Sequence, residues 1–145
     1  MLHVGTAIAK PVAYSGKTSA GTTVEFKRSG ATVAKITGYL PATCVSTRTS
    51  DVRTGADPFM PPGRFALDGA EQTASAEDQP TSFGMGSTTT KNYHVTLTRG
   101  RAGVVKGKLH MNFTAIEPFY NAWGYLDGNT FICQADAKFT ARPKR

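Results

Sequence analysis

The chain predicts an all-β domain, an antiparallel two-sheet β-sandwich of about seven to nine strands with a long polar loop and one inter-strand disulfide. Three observations carry this. Apolar and polar residues alternate with a period of two in several segments, which sends successive side chains to opposite faces of a sheet. No segment of about 11 residues or more keeps the period of an amphipathic helix. The two cysteines, Cys44 and Cys133, both fall at the inward phase of such segments, so both sulfurs point into one interior. A disulfide between two strands is the natural reading, and two free buried thiols are the alternative. An even pair of cysteines points to an oxidising compartment, because the cytosol keeps thiols reduced.

The strands follow in order. Residues 12–18 bring Tyr14, Gly16 and Thr18 to one side, and Ser19, Ala20 and Gly21 mark a turn. Val24 and Phe26 then alternate with Thr23, Glu25 and Lys27, and Ser29 and Gly30 supply the next turn. The run from Ala31 to Cys44 places Ile36, Gly38, Leu40, Ala42 and Cys44 on one face. Pro41 cannot donate to a ladder, so this strand is expected to be an edge or to bulge there. From 45 to 92 Ser, Thr, Gly, Pro and Asp dominate, and one apolar island, Arg64 to Leu67, reads as a short strand after the Pro61-Pro62-Gly63 turn. The stretch 68–92 has almost no periodicity and is expected to be a long variable loop. Regularity resumes with Tyr93, Val95 and Leu97, turns at 99–103, and returns through Val105, Leu109, Met111, Phe113 and Ala115. An aromatic cluster, a turn at Asp127, Gly128 and Asn129, and a last strand with Phe131, Cys133, Ala135, Ala137 and Phe139 inward complete the pattern.

At 145 residues the chain is one domain, 1–145, with an N-terminal arm at 1–11, the loop at 68–92 and a basic tail at 142–145. No apolar run approaches the roughly 18 residues of a membrane-spanning helix. The start lacks a basic stretch followed by a long apolar one, so no signal peptide is expected. Either the chain is not exported by that route or it is a mature form given a new start. The net charge of +7 is spread over Lys27, Arg28 and Lys35, over Arg99, Arg101, Lys106 and Lys108, and over Arg142, Lys144 and Arg145. Such a spread keeps a protein soluble and favours acidic partners such as an anionic polysaccharide, a teichoic-type wall polymer or a phosphate backbone. Protein partner subunits are the other class of partner. No specific nucleic-acid partner is expected, because stacking aromatics do not alternate with the basic residues.

The stretches Tyr14 to Gly21, Val24 to Phe26, Val33 to Cys44, Gly63 to Phe65 and Cys133 to Arg142 together resemble a group of small exported domains of high-GC Gram-positive bacteria. The resemblance implies a disulfide-linked β-sandwich outside the cytoplasm, at the cell envelope or beyond it, and implies no mechanism. The closing aromatic here is Phe139, where that group carries Trp.

Candidate chemistries are few. Gly16-Lys17-Thr18 ends like a phosphate loop, but Pro11 stands where that motif needs its first glycine, and a strand follows where it needs a helix. The glycines of 83–87 lack a strand-then-helix context. His94 and His110 lie on neighbouring strands of one hairpin, where one register sets them side by side. They are a weak metal candidate, because even an open zinc site wants three ligands and the hairpin offers no third. No GxSxG elbow appears, Cys133 belongs to a core-facing row, and the carboxylates Asp68, Glu71, Glu77 and Asp78 are not placed for glycoside hydrolysis. No cofactor and no catalysis are expected. Tyr120, Trp123 and Tyr125 are the candidate ligand-binding residues, since such rings join apolar area to a polar edge; a row of this kind more often packs in a core, and Trp123 with at least one tyrosine is expected there. The function expected is a non-enzymatic exported or envelope-associated binding or structural module. A virion decoration or tail component is the alternative, and a hydrolase with a site in the 68–92 loop is a third reading.

Overall fold

The computed structural model describes residues 10–84 and 88–144. Nine antiparallel strands account for most of them: β1 (Val12–Thr18), β2 (Thr23–Ser29), β3 (Thr32–Ser46), β4 (Val52–Phe59), β5 (Arg64–Ala66), β6 (Glu71–Pro80), β7 (Thr88–Arg99), β8 (Val105–Tyr120) and β9 (Leu126–Pro143). A single 3₁₀ turn, Arg101–Gly103, joins β7 to β8. Pairing runs β4-β3-β2-β1-β9-β8-β7-β6, with β5 added to β3.

One device organises the sheet. β9 carries β8 along the whole of one edge, while its other edge is shared, β1 pairing with 139–143 and β3 with 131–135. The β1–β2 hairpin is therefore a wedge between β3 and β9, which meet directly only beyond its tip. At that meeting Cys44 stands opposite Cys133, and the two form a disulfide. The bridge thus joins neighbouring strands of one ladder. Pro41 falls where β3 has left β2 at Gly38 and not yet joined β9 at Ala42. The strand is interior there rather than an edge, and the missing N–H coincides with a break in the ladder.

The wedge folds the sheet over, so that its two ends face each other as layers. Phe59 of β4 meets Tyr93 of β7 edge to face at 5.1 Å, and the Gln72 amide of β6 both donates to and accepts from the Ala66 backbone of β5. Val24, Phe26, Ile36, Leu40, Val95, Leu97, Leu109 and Phe131 fill the space between. The inward phases of β8 and β9 are those the alternation predicts. In β3 the phase shifts between Val33 and Ile36, both buried; Lys35, at φ +56°, absorbs the shift opposite an irregularity in β2. Gly16 is required by closeness: a Cβ there would lie 2.1 Å from the Thr140 carbonyl oxygen.

Two expectations are corrected. Residues 68–92 are not a loop: β6 and the start of β7 occupy most of them. The loop reading fails because β6 turns Gln72, Ala74, Ala76 and Gln79 toward the interior, too little apolar contrast to give a period. β4 is hidden for a related reason, since its inward positions include Gly55 and Asp57. The basic tail is no free end either: Arg142 and Pro143 belong to β9, and Lys144 donates its backbone N–H to Ala13 and pairs its ammonium with Glu25. The arm at 1–11, apart from Lys10 and Pro11, lies outside the described residues, as do His3 and Arg145.

Candidate functional site

β8 and β9 are the longest strands, and past Phe113 and Phe131 they lose their outer neighbours, β7 and β3. The hairpin extends beyond them for roughly 20 Å, counting about 3.3 Å per residue, with Thr47 donating its backbone N–H to the Thr130 carbonyl and Gly84 close against the Ile116 backbone. Its turn is made locally. The Asn121 side-chain oxygen accepts from the N–H groups of Trp123 and Tyr125 at 3.0 and 3.1 Å, and Gly124 takes φ +78°, where glycine alone is unstrained. The turn expected at Asp127 to Asn129 is thereby displaced. Those residues pair with Phe119, Pro118 and Glu117 inside the ladder.

Two arginines hold the inner side of this arm. Arg48, in the β3–β4 turn, donates twice to Asp127, at 2.8 and 3.1 Å, and lies over the Phe119 ring. Arg53 of β4 makes a two-pronged contact with Glu117 and covers Phe131. The arginine hydrogen bonds hold both carboxyls below the usual carboxylate range, and both guanidiniums are raised in turn.

The arm's aromatic residues are not in the core. Tyr120, Trp123 and Tyr125 are 76, 84 and 72% exposed, because no layer reaches over the hairpin at this distance from the body. The expectation that Trp123 and a tyrosine would pack inside is overturned. Strand alternation also turns Ile116, Pro118, Tyr120, Leu126 and Ile132 to the outer face, and Ile132 stands beside Val45, which stands beside Val52. Exposed apolar side chains therefore recur from β4 across β3 and β9 and out along the arm, with Thr114 and Thr130 between Ile132 and Ile116. Of these only the aromatic residues were singled out from sequence. The signal for the rest was present: Val45, Ile116 and Ile132 are large apolar residues at outward phases.

His94 and His110 are directly opposite, with ring centres 5.2 Å apart. Their Nδ1 atoms bond to Glu71 of β6 at 2.8 Å and Asp136 of β9 at 2.6 Å. A carboxylate only accepts, so Nδ1 carries the proton and, in the neutral ring, Nε2 is bare. The flanking strands, rather than the hairpin, supply these carboxylates, and they orient the rings instead of adding ligands. Among the described residues no group of three His, Cys, Asp or Glu is arranged to hold a metal ion.

Asp57 and Lys91 form a fully buried ion pair between the layers. The second Asp57 oxygen accepts from the Thr81 hydroxyl and the Ser82 N–H, while Lys91 also donates to the Pro58 carbonyl and lies over the Phe113 ring. Burial lowers the Lys91 pKa and raises that of neighbouring Tyr93 to about 12. Every polar atom of the pair has a partner inside a closed core, an arrangement suited to joining layers.

Comparison with protein-family models, with curated proteins and with solved structures returned no match.

Proposed function

We propose that the protein is a non-enzymatic binding and structural module that attaches to another protein through the β8–β9 arm. The observation that supports this is the exposed apolar run from Val52 to Trp123 on a hairpin fixed from behind by Arg48 and Arg53. Monomeric surfaces rarely carry apolar patches of this extent unless they are covered by a partner. The aliphatic members offer area without directional polar groups, which suits a protein surface better than a sugar. The disulfide supports an oxidising setting, outside the cell or at its envelope, in line with the resemblance to exported Gram-positive domains. An assembly role, such as a virion decoration or tail component, is the second reading, favoured by the reach of the arm toward a neighbouring copy. The third reading, a hydrolase with a site at 68–92, would place that site on β6 and the start of β7 rather than on a loop.

A photo-crosslinking residue at position 120, compared with one at exposed Lys35, tests the attachment in native extracts. Adducts specific to position 120 are expected; adducts at both or at neither would refute it. Sedimentation velocity then separates the two readings. Concentration-dependent assemblies lost in the Tyr120→Ala/Trp123→Ala/Leu126→Ser variant identify the partner as a second copy, and a monomer at all concentrations identifies a different protein.

A further inference from the structure

Basic residues that are scattered along the chain converge in the fold. Arg99 ends β7, Arg101 lies in the turn, Lys106 and Lys108 begin β8, and Lys138 and Arg142 end β9. All six are exposed; Lys106, Lys108, Lys138 and Arg142 stand at the outward phase of β8 and β9, while Arg99, opposite buried Val105, and Arg101 lie at the end of the sheet. A depression of about 700 Å³ is lined by Arg99, Arg101, Lys106 and Arg142. A second of about 470 Å³ is lined by Lys106, Lys108 and Lys138. The two share Lys106 and Thr140, so they form one trough, which ends toward the His94–His110 pair at a hollow where Glu71 and Asp136 join the lining.

Three features mark this as more than a solvated face. No carboxylate lines either depression. Lys108 and Lys138 stand directly opposite in the ladder, a placement of like charges that costs stability unless an anion sits over it. Thr98 and Thr140 flank Lys106, and Thr96 flanks Lys108, so each row of positive charge also has hydroxyl donors.

We infer that this trough binds a linear, base-free phosphate-ester or polyphosphate chain. Lys106 and Lys108, two residues apart on one strand, stand about 6.8 Å apart, close to one repeat of an extended phosphodiester and to about two units of a polyphosphate, whose phosphorus atoms share a single bridging oxygen. A flexible chain laid along β8 meets Lys106 and Lys108 in turn, with the hydroxyls of Thr96, Thr98 and Thr140 to either side. Nucleic acid fits less well, because the exposed aromatic rings, Tyr39, Phe119, Tyr120, Trp123 and Tyr125, all lie off the trough, and single-strand binding relies on stacking. The site is separate from the arm and does not rest on its role.

Fluorescently end-labelled inorganic polyphosphate, titrated with the intact protein and followed by anisotropy, tests this. The affinity is expected to fall with salt along a slope of about −3 to −4 in log–log form, corresponding to four to six phosphate contacts. Lys106→Glu/Lys108→Glu/Lys138→Glu should weaken binding at least tenfold more than Lys10→Glu/Lys27→Glu/Lys35→Glu, which changes net charge equally on another part of the surface. Equal losses in the two sets would reduce the effect to net charge and overturn the site. Stronger displacement of the probe by oligodeoxythymidylate or polygalacturonate than by unlabelled polyphosphate would overturn the assignment of the ligand.

Discussion

Asp57 and Lys91 illustrate how one residue pair can decide a region. Each is fully buried, and a buried charge that loses its partner costs about 3–5 kcal/mol. The two sides are not equivalent. Asp57→Ala strands the ammonium with the Pro58 carbonyl and the Phe113 ring, and also takes the acceptor from Thr81 and Ser82. Lys91→Met leaves the carboxylate with two donors. Urea unfolding should therefore show the larger loss for Asp57→Ala; equal or reversed losses would mean that the Thr81 and Ser82 bonds carry no weight. The pair also explains why β4 is invisible as a strand from sequence: an aspartate at an inward position breaks the alternation, and its lysine is 34 residues away.

At the scale of elements, the arm is governed by its two arginine staples. Glu117 and Asp127 have folded-state pKa values below their unfolded ones, so their stabilising effect is complete above the unfolded-state range. It is lost as the pH falls through the folded-state values. The single tryptophan of the chain, Trp123, sits in the arm's turn and reports on it alone. Its fluorescence anisotropy should stay level from neutral pH down to about pH 5 and drop below the usual carboxylate range of about 4, while Arg48→Ala/Arg53→Ala should give the low value throughout. A flat titration in the native protein would show that the staples do not hold the hairpin. The displaced turn belongs to this scale too. Asp-Gly-Asn is a sound local turn signal, yet the register set by Phe113 against Cys133, with the pull of Arg48 on Asp127, carries the strand through it.

At the scale of the whole molecule, the Cys44–Cys133 bridge closes a separation of 89 residues. In the chain-entropy treatment this contributes about 4–5 kcal/mol by restricting the unfolded state. Denaturation with and without reducing agent should differ by about that amount, and coincident curves would show that the β3–β9 ladder is held by packing alone. The bridge sits where β3 and β9 first meet beyond the wedge, so its loss should loosen the end from which the arm projects before it affects the β1–β2 hairpin. The arm and the basic trough lie toward opposite ends of the β8–β9 ladder. The molecule therefore offers one apolar and one cationic surface on the same pair of strands.

Local alternation by itself determined the β class, the inward rows of β8 and β9, the inward phase of both cysteines and the facing histidines, because each is set by a two-residue period within a hairpin. Tertiary structure decided the rest. Whether Trp123 is covered depends on where β3 and β7 stop, and whether Arg99, Lys108 and Arg142 form one surface depends on β9 returning beside β8. Burial and charge clustering depend on which strands lie nearby, and that is fixed by pairings between residues far apart in the chain.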